Sequence, residues 1–197
     1  MLYLLDYCTL IFYNVLEWYK IEMINTKYLK NMKTITLSLV LVAISFSLYA
    51  QDFEVPENFN PEKAEDYAPY EQEVIKCFDW LMSTPLNENP AKRTEVNGFL
   101  LKWLTGSPTV HLEIKQEIVT FMGTSPDLLM IFLGGWAKFS LESKEFDDNI
   151  AGSLAGIESV IAFYVKNKDL LPKDKHIEKY IKLKNKGTLK NYIEKNA

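Results

Sequence analysis

The most apolar run after the first fifty positions spans residues 125 to 142, and from Leu128 to Leu133 every position is hydrophobic. Ser125 offers a side-chain oxygen to the free N–H groups of a helix start, Pro126 suits the first helical position, and Asp127 complements the positive end of the dipole. A helix that is apolar all round belongs inside a core with other helices about it, so the run predicts a buried central helix near 126–142. Gly134 and Gly135 interrupt it, and each is unfavourable by roughly 0.8 to 1 kcal/mol relative to alanine in a helix interior. Close approach of a neighbouring helix would offset that, and Ala151, Gly152, Ser153, Ala155 and Gly156 supply a matching surface of small residues. The expected arrangement is an antiparallel hairpin joined near residues 144–148; the competing reading is a kink, or backbone that contacts a substrate, at Gly134-Gly135.

Shorter amphipathic segments flank this pair. Tyr70, Val74, Cys77, Phe78 and Leu81 recur at helical spacing from a start near Pro69 to a stop at Ser83-Thr84-Pro85. Asn89-Pro90 signals a second start, the stripe Val96, Phe99, Leu100, Trp103 and Leu104 follows, and Gly106 stands where a left-handed cap is favoured. Residues 110–121 are ambiguous. Val110, Leu112 and Ile114 alternate as a strand does, whereas Val110, Ile114, Ile118 and Phe121 form a helical stripe; with no second strand in view, a helix is expected. Beyond the central helix, residues 148–166 carry the stripe Ile150, Leu154, Ile157, Ile161 and Tyr164, and a shorter helix near 173–184 and a last turn or two at 189–193 complete the chain. Aromatic-to-Ser/Thr-Pro junctions recur near Pro85, Pro108 and Pro126 at unequal intervals, which disfavours a solenoid repeat. The fold class is therefore all-α, a compact orthogonal or antiparallel bundle of about six to seven short helices around the 126–142 helix.

The first fifty residues change the picture of address. Met32-Lys33 opens a short basic start, residues 34–48 are apolar and hydroxyl-rich, and Tyr49-Ala50-Gln51 reads as a cleavage point, the form of a secretory signal peptide over 32–50. Residues 1–31 then read as a mis-called extension ahead of a true start at Met32, or as part of a long signal region. Residues 51–66, polar and acidic with Pro56 and Pro61, read as an extended, mobile lead-in, and 67–197 as one helical domain. The expected product is periplasmic or secreted, with no transmembrane helix after cleavage. After Ala50 only Cys77 remains, so no internal disulfide can form, and Cys77 fits an apolar helix face as a small buried hydrophobe.

Charge is uneven. From residue 166 onward ten lysines face four acids, a net of +6, while residues 51–165 hold eight basic and 19 acidic residues, a net of −11. The stripe Ile177, Tyr180 and Ile181 must be buried, which favours a basic end docked on the acidic body over one that projects to collect an anionic envelope component. A single arginine, Arg93, makes a poor nucleic-acid footprint.

Candidate chemistry is sparse. The two histidines, His111 and His176, lie far apart, and His111 with Glu113 and Glu117 does not place three ligands on one helix face. No nucleophile elbow, His-Glu-x-x-His pair, phosphate loop or calcium loop is present. Glu71 with Glu73 and Asp147 with Asp148 read as a helix edge and a helix cap, and Trp80, Trp103 and Trp136 read as core. No catalytic, cofactor-binding or metal-ligating set is predicted, and no cofactor.

The run Phe99-Leu100-Leu101-Lys102-Trp103-Leu104-Thr105-Gly106-Ser107-Pro108, with Gly134-Gly135-Trp136 beyond it, resembles a class of small exported all-helical proteins of Gram-negative bacteria that have no assigned function. The resemblance spans roughly residues 67–193 and rests on packing positions, so it implies an exported helical domain and no site. The functional expectation is an interaction or scaffold protein without catalysis, engaging a protein or an anionic envelope component. The alternative is a binder of a small apolar ligand in a helix-lined pocket, with a hydrolase ranked third.

Overall fold

The computed structural model describes residues 53–196, which fold as six α-helices and two single 3-10 turns, with no strand among the described residues. In chain order the helices are α1 Glu71–Ser83, α2 Pro90–Gly106, α3 Pro126–Ser143, α4 Asn149–Lys166, α5 Lys175–Asn185 and α6 Leu189–Asn196. The signal-peptide and extension readings, residues 1–50, fall outside the described residues.

The apolar run is the centre of the fold. Ser125 Oγ accepts from the Asp127 N–H at 3.3 Å, and Pro126 opens α3 as expected. Leu128, Ile131, Phe132, Trp136, Ala137 and Leu141 are all buried, with α4 on one side and α1 and α2 on the other. Lys144 ends α3 in the left-handed region at φ 62°, and Asp148 starts α4 by accepting from the Ala151 N–H at 2.8 Å. The two helices run antiparallel: Gly152 faces Trp136 and Gly156 faces Phe132, so position rises along one helix as it falls along the other.

The glycines do pack, though not all across the hairpin. A Cβ on Gly135 would lie 2.3 Å from Ser159 Oγ, and one on Gly156 would lie 2.6 Å from the Phe132 ring. Gly134 points the other way, where a Cβ would meet Phe78 of α1 at 2.5 Å and Leu100 of α2 at 3.2 Å. Adjacent residues on a helix face about 100° apart, so one glycine admits α4 and the next admits the opposite layer.

Four local expectations need correction. Residues 110–121 form neither a helix nor a paired strand: residues 110–115 adopt no regular secondary structure, and turns follow, with Ile118 and Val119 N–H bonding to Lys115 O and Met122 N–H to Val119 O. Val110, Ile118, Val119 and Phe121 are buried while Ile114 is 45% exposed, so the helical stripe was coincidental. The Ser107 hydroxyl accepts from the Thr109 and Val110 N–H groups at 3.3 and 3.2 Å, the bonds a helix N-cap would make, yet no helix follows. Gly106 is not a left-handed cap; a Cβ there would overlap Tyr67 Oη, so the residue admits a side chain from the opposite layer. Asn89 has φ 49° and makes no side-chain cap bond. The acidic lead-in is anchored rather than mobile, because Phe59 packs on Tyr70 and Phe99 at ring separations of 4.8 and 5.1 Å and Lys102 Nζ donates to Phe59 O at 2.8 Å.

The basic end docks. Ile177, Tyr180, Leu189 and Ile193 of α5 and α6 are buried, chiefly against α4, and lysines fill the outer face. Lys184 pairs with Glu158 of α4 at 3.0 Å, and Lys179 Nζ sits 4.1 Å from the Tyr192 ring.

Candidate functional site

Once the helices have buried their stripes, the segment 107–115 is left lying across the outside between the α2 end and the α3–α4 connection. Its start is fixed. The Ser107 N–H continues the α2 ladder to Trp103 O, the Ser107 hydroxyl holds the next turn, and the Val110 side chain is buried. From there the chain lifts away, with Leu112 half-buried and Ile114 exposed.

A depression opens on either side of it. One, of about 430 Å³, is lined mainly by Leu101, Leu104, Val110, Leu112, Ile114 and Leu133. The other, of about 390 Å³, is lined by His111, Leu112, Glu113, Phe146, Asp147 and Asn149. The first mixes aliphatic side chains with Thr105, Ser107 and His111, the second mixes Glu113, Asp147 and Asn149 with Phe146, and His111 and Leu112 border both. Glu113 is held by Lys115 at 2.5 Å and by the Asn149 amide at 3.2 Å. Among the described residues no protein group hydrogen-bonds to the backbone N–H or C=O of His111, Leu112, Glu113 or Ile114. Four consecutive peptide units are thus without a protein partner, and a row of unpaired backbone groups is the feature that sheet edges use to recruit another chain.

The other chemistry-bearing residues serve the fold. Cys77 is buried, its thiol 3.6 Å from Val96 O, and burial pushes its pKa up, so it is not poised as a thiolate. Trp80, Trp103 and Trp136 lie in the core, and Trp103 Nε1 donates to Tyr67 O at 3.1 Å. Glu71 pairs with Lys144 and Glu73 with Lys76, at 3.2 and 2.9 Å. His111 and His176 are not brought together, and among the described residues no group of three or more His, Cys, Asp and Glu could hold a metal ion.

Arg93 is buried between the rings of Trp80 and Phe163, its guanidinium carbon 5.7 and 5.6 Å from their centroids. Its Nη2 donates to Thr84 O at 2.8 Å and Pro85 O at 3.2 Å, while Lys166 Nζ donates to Met82 O and Ser83 O at 2.9 and 2.5 Å. Two cations from α2 and α4 thus serve the carbonyls at the negative end of α1. Burial presses the guanidinium pKa down, partly offset by the charge of Asp127.

Asp174 ties the irregular segment to the C-terminal helices. One carboxylate oxygen accepts from the His176 and Ile177 N–H groups at 2.7 and 3.1 Å, and the other accepts from the Thr124 hydroxyl. Tyr180 Oη donates to Ile118 O at 2.7 Å, fastening the same two regions. Burial alone would raise the Asp174 pKa, but the bonds from Thr124, Ile177 and His176 outweigh it and hold the carboxyl below its ordinary value. A depressed folded-state pKa gives stability that is present above the unfolded value, near 3.9, and is lost as pH falls through the folded one. Asp174→Ala should lower stability by about 1 to 2 kcal/mol at pH 7, the usual worth of a helix N-cap. The difference between the two proteins should persist to pH 5 and narrow below about pH 4, as chemical denaturation at each pH would show; a gap that widened in acid would refute the assignment.

No family model, curated protein or solved structure matches the chain. The reading of function therefore rests on this chain's own surface.

The sequence did carry a signal for the segment: the alternation of Val110, Leu112 and Ile114. Alternation alone does not make a strand without a partner to pair with, and among the described residues no second strand is present.

Proposed function

We propose that the protein is an exported helical interaction module without catalytic activity, which docks an extended polypeptide along residues 110–114. The observation that carries this reading is that the backbone groups of His111, Leu112, Glu113 and Ile114 have no protein partner among the described residues, between a depression rich in aliphatic side chains and one that holds Glu113 and Asp147. Strand addition of this kind draws its affinity from main-chain hydrogen bonds and its selectivity from the flanking pockets. Export is supported by the signal-peptide form of residues 32–50 and by the resemblance to small exported helical proteins. Among the described residues no helix is long and apolar enough to cross a membrane.

A photoreactive residue placed at Ile114 in cells should give discrete polypeptide adducts in the envelope or secreted fraction, on a protein whose first residue is near Gln51. A probe at Lys186 on the far helix should give none, and Leu112→Pro, which removes one backbone donor from the segment, should abolish those at Ile114. No adduct at Ile114, or adducts that Leu112→Pro leaves unchanged, would refute the docking reading. A cytosolic product that kept its first fifty residues would refute export.

The aliphatic side chains of the first depression, Leu101, Leu104 and Leu133 among them, are where a small apolar ligand would bind on the alternative reading. Saturable binding of a fluorescent fatty-acid probe that Leu104→Gln abolishes would establish that alternative, and non-saturable uptake would exclude it.

A further inference from the structure

We infer that the chain docked on residues 110–114 is a second copy of the same protein, added antiparallel about a twofold axis at Leu112. This rests on the docking reading above and names its partner.

The segment reads Val110-His111-Leu112-Glu113-Ile114, and its residue types are self-complementary in one register. With Leu112 opposite Leu112 of the second copy, Val110 falls opposite Ile114 and His111 falls opposite Glu113, and by symmetry each pair occurs twice. One face of the ribbon is then wholly apolar, and the other carries two histidine–carboxylate pairs. The remaining antiparallel registers lack this match. A shift that sets Leu112 opposite Glu113 also sets His111 opposite Ile114, mixing polar with apolar on both faces. Setting Leu112 opposite Ile114 brings Glu113 against its own counterpart, and setting Leu112 opposite Val110 does the same for His111. Parallel pairing in register places each charge against itself. An imidazole opposite a carboxylate can hydrogen-bond to it, whereas a carboxylate opposite its own counterpart is destabilising, so the pattern selects a single alignment.

The surroundings agree with that alignment. Val110 already points into the core, so Ile114 of the second copy would arrive beside it, at the depression lined by Leu101, Leu104 and Leu133. That depression includes two of the most exposed large apolar residues, Leu101 at 48% and Ile114 at 45%, and pairing would cover both. His111 and Glu113 are exposed on the polar side, where the only ion-pair partner of Glu113 is Lys115 of its own chain among the described residues. The backbone groups of residues 111–114 have no protein partner to give up, and with His111 and Glu113 as the hydrogen-bonded pairs the Val110 N–H keeps its bond to Ser107 Oγ. A pairing this short makes a small, reversible interface of the transient class.

Sedimentation equilibrium of the purified protein, taken to about 1 mM to reach the weakest association expected of such an interface, tests the inference. A monomer–dimer equilibrium is expected. His111→Glu should weaken it about tenfold by setting like charges opposite each other at two sites. The double swap His111→Glu/Glu113→Lys should restore it, and Leu112→Pro should abolish it. All three positions lie on exposed or half-exposed segment with no backbone bond to lose, and unchanged circular dichroism checks the fold. A monomer at every concentration, or a dimer indifferent to His111→Glu and Leu112→Pro, would overturn the proposal. If the protein stays monomeric while the Ile114 photo-adduct contains a different polypeptide, the docking reading stands and the second copy falls; if neither dimer nor adduct forms, both fall.

Discussion

Gly156→Ala should lower the unfolding free energy by about 2 kcal/mol, although alanine is the better helix former by roughly 1 kcal/mol. The added Cβ would lie 2.6 Å from the Phe132 ring and 2.8 Å from Phe132 O. A ring tip can swing aside in a loose core, but Phe132 is buried and its carbonyl belongs to the α3 backbone, so relief requires the two central helices to separate. Overpacking of this kind typically destabilises by 1 to 3 kcal/mol, and about as much again is forgone from contacts along the opened seam. Gly98→Ala is the matched control. It is also a helix-interior glycine, in α2, and a Cβ there would meet nothing within 4 Å, so it should gain about 0.5 to 1 kcal/mol. Urea unfolding of the three proteins reads the difference directly, and a Gly156→Ala protein as stable as the parent would mean that α3 and α4 do not cross where the structure has them.

Arg93→Ala should be the most damaging single truncation of a polar residue, lowering stability by about 3 kcal/mol or more. It would leave Thr84 O and Pro85 O without their donor and open a void between Trp80 and Phe163. Arg93→Lys should recover less than half of the loss. An ammonium has neither the planar face that lies between the two rings nor the reach of the guanidinium fork. Among the described residues the buried Nε and Nη1 groups have no hydrogen-bond acceptor, so the ring faces and the charge of Asp127 are what favour the cation there. Thermal unfolding of both variants tests this, and an alanine variant within 1 kcal/mol of the parent would show that the guanidinium is incidental.

The central helix, its caps and its partner were legible in the sequence because each depends on neighbours close along the chain. Ser125-Pro126-Asp127 starts a helix wherever it is followed by good helix formers, and six apolar residues in succession can only be buried. Asp148 caps α4 for the same local reason, as Asp174 does α5. The docking of the basic end was also legible: the stripe Ile177, Tyr180 and Ile181 needed cover, and the lysines between them needed water.

What the sequence misjudged was decided by groups distant in the chain. Gly106 looked like a terminator and is instead the floor beneath Tyr67; Gly134 looked like half of a hairpin seam and instead admits Phe78. Arg93 was assigned no structural role, because nothing near it in sequence shows that two rings and the end of another helix will enclose it. Residues 110–114 are the sharpest case. Their alternating pattern is a local property and was visible, but whether a strand has a partner is a property of the whole fold. The sequence by itself determined the helices, the apolar centre and the side on which the lysines lie, since periodicity and capping act within a few residues. Only the tertiary structure decided that the backbone groups of one segment are left without a protein partner among the described residues, because that follows from where every other element has found its partner.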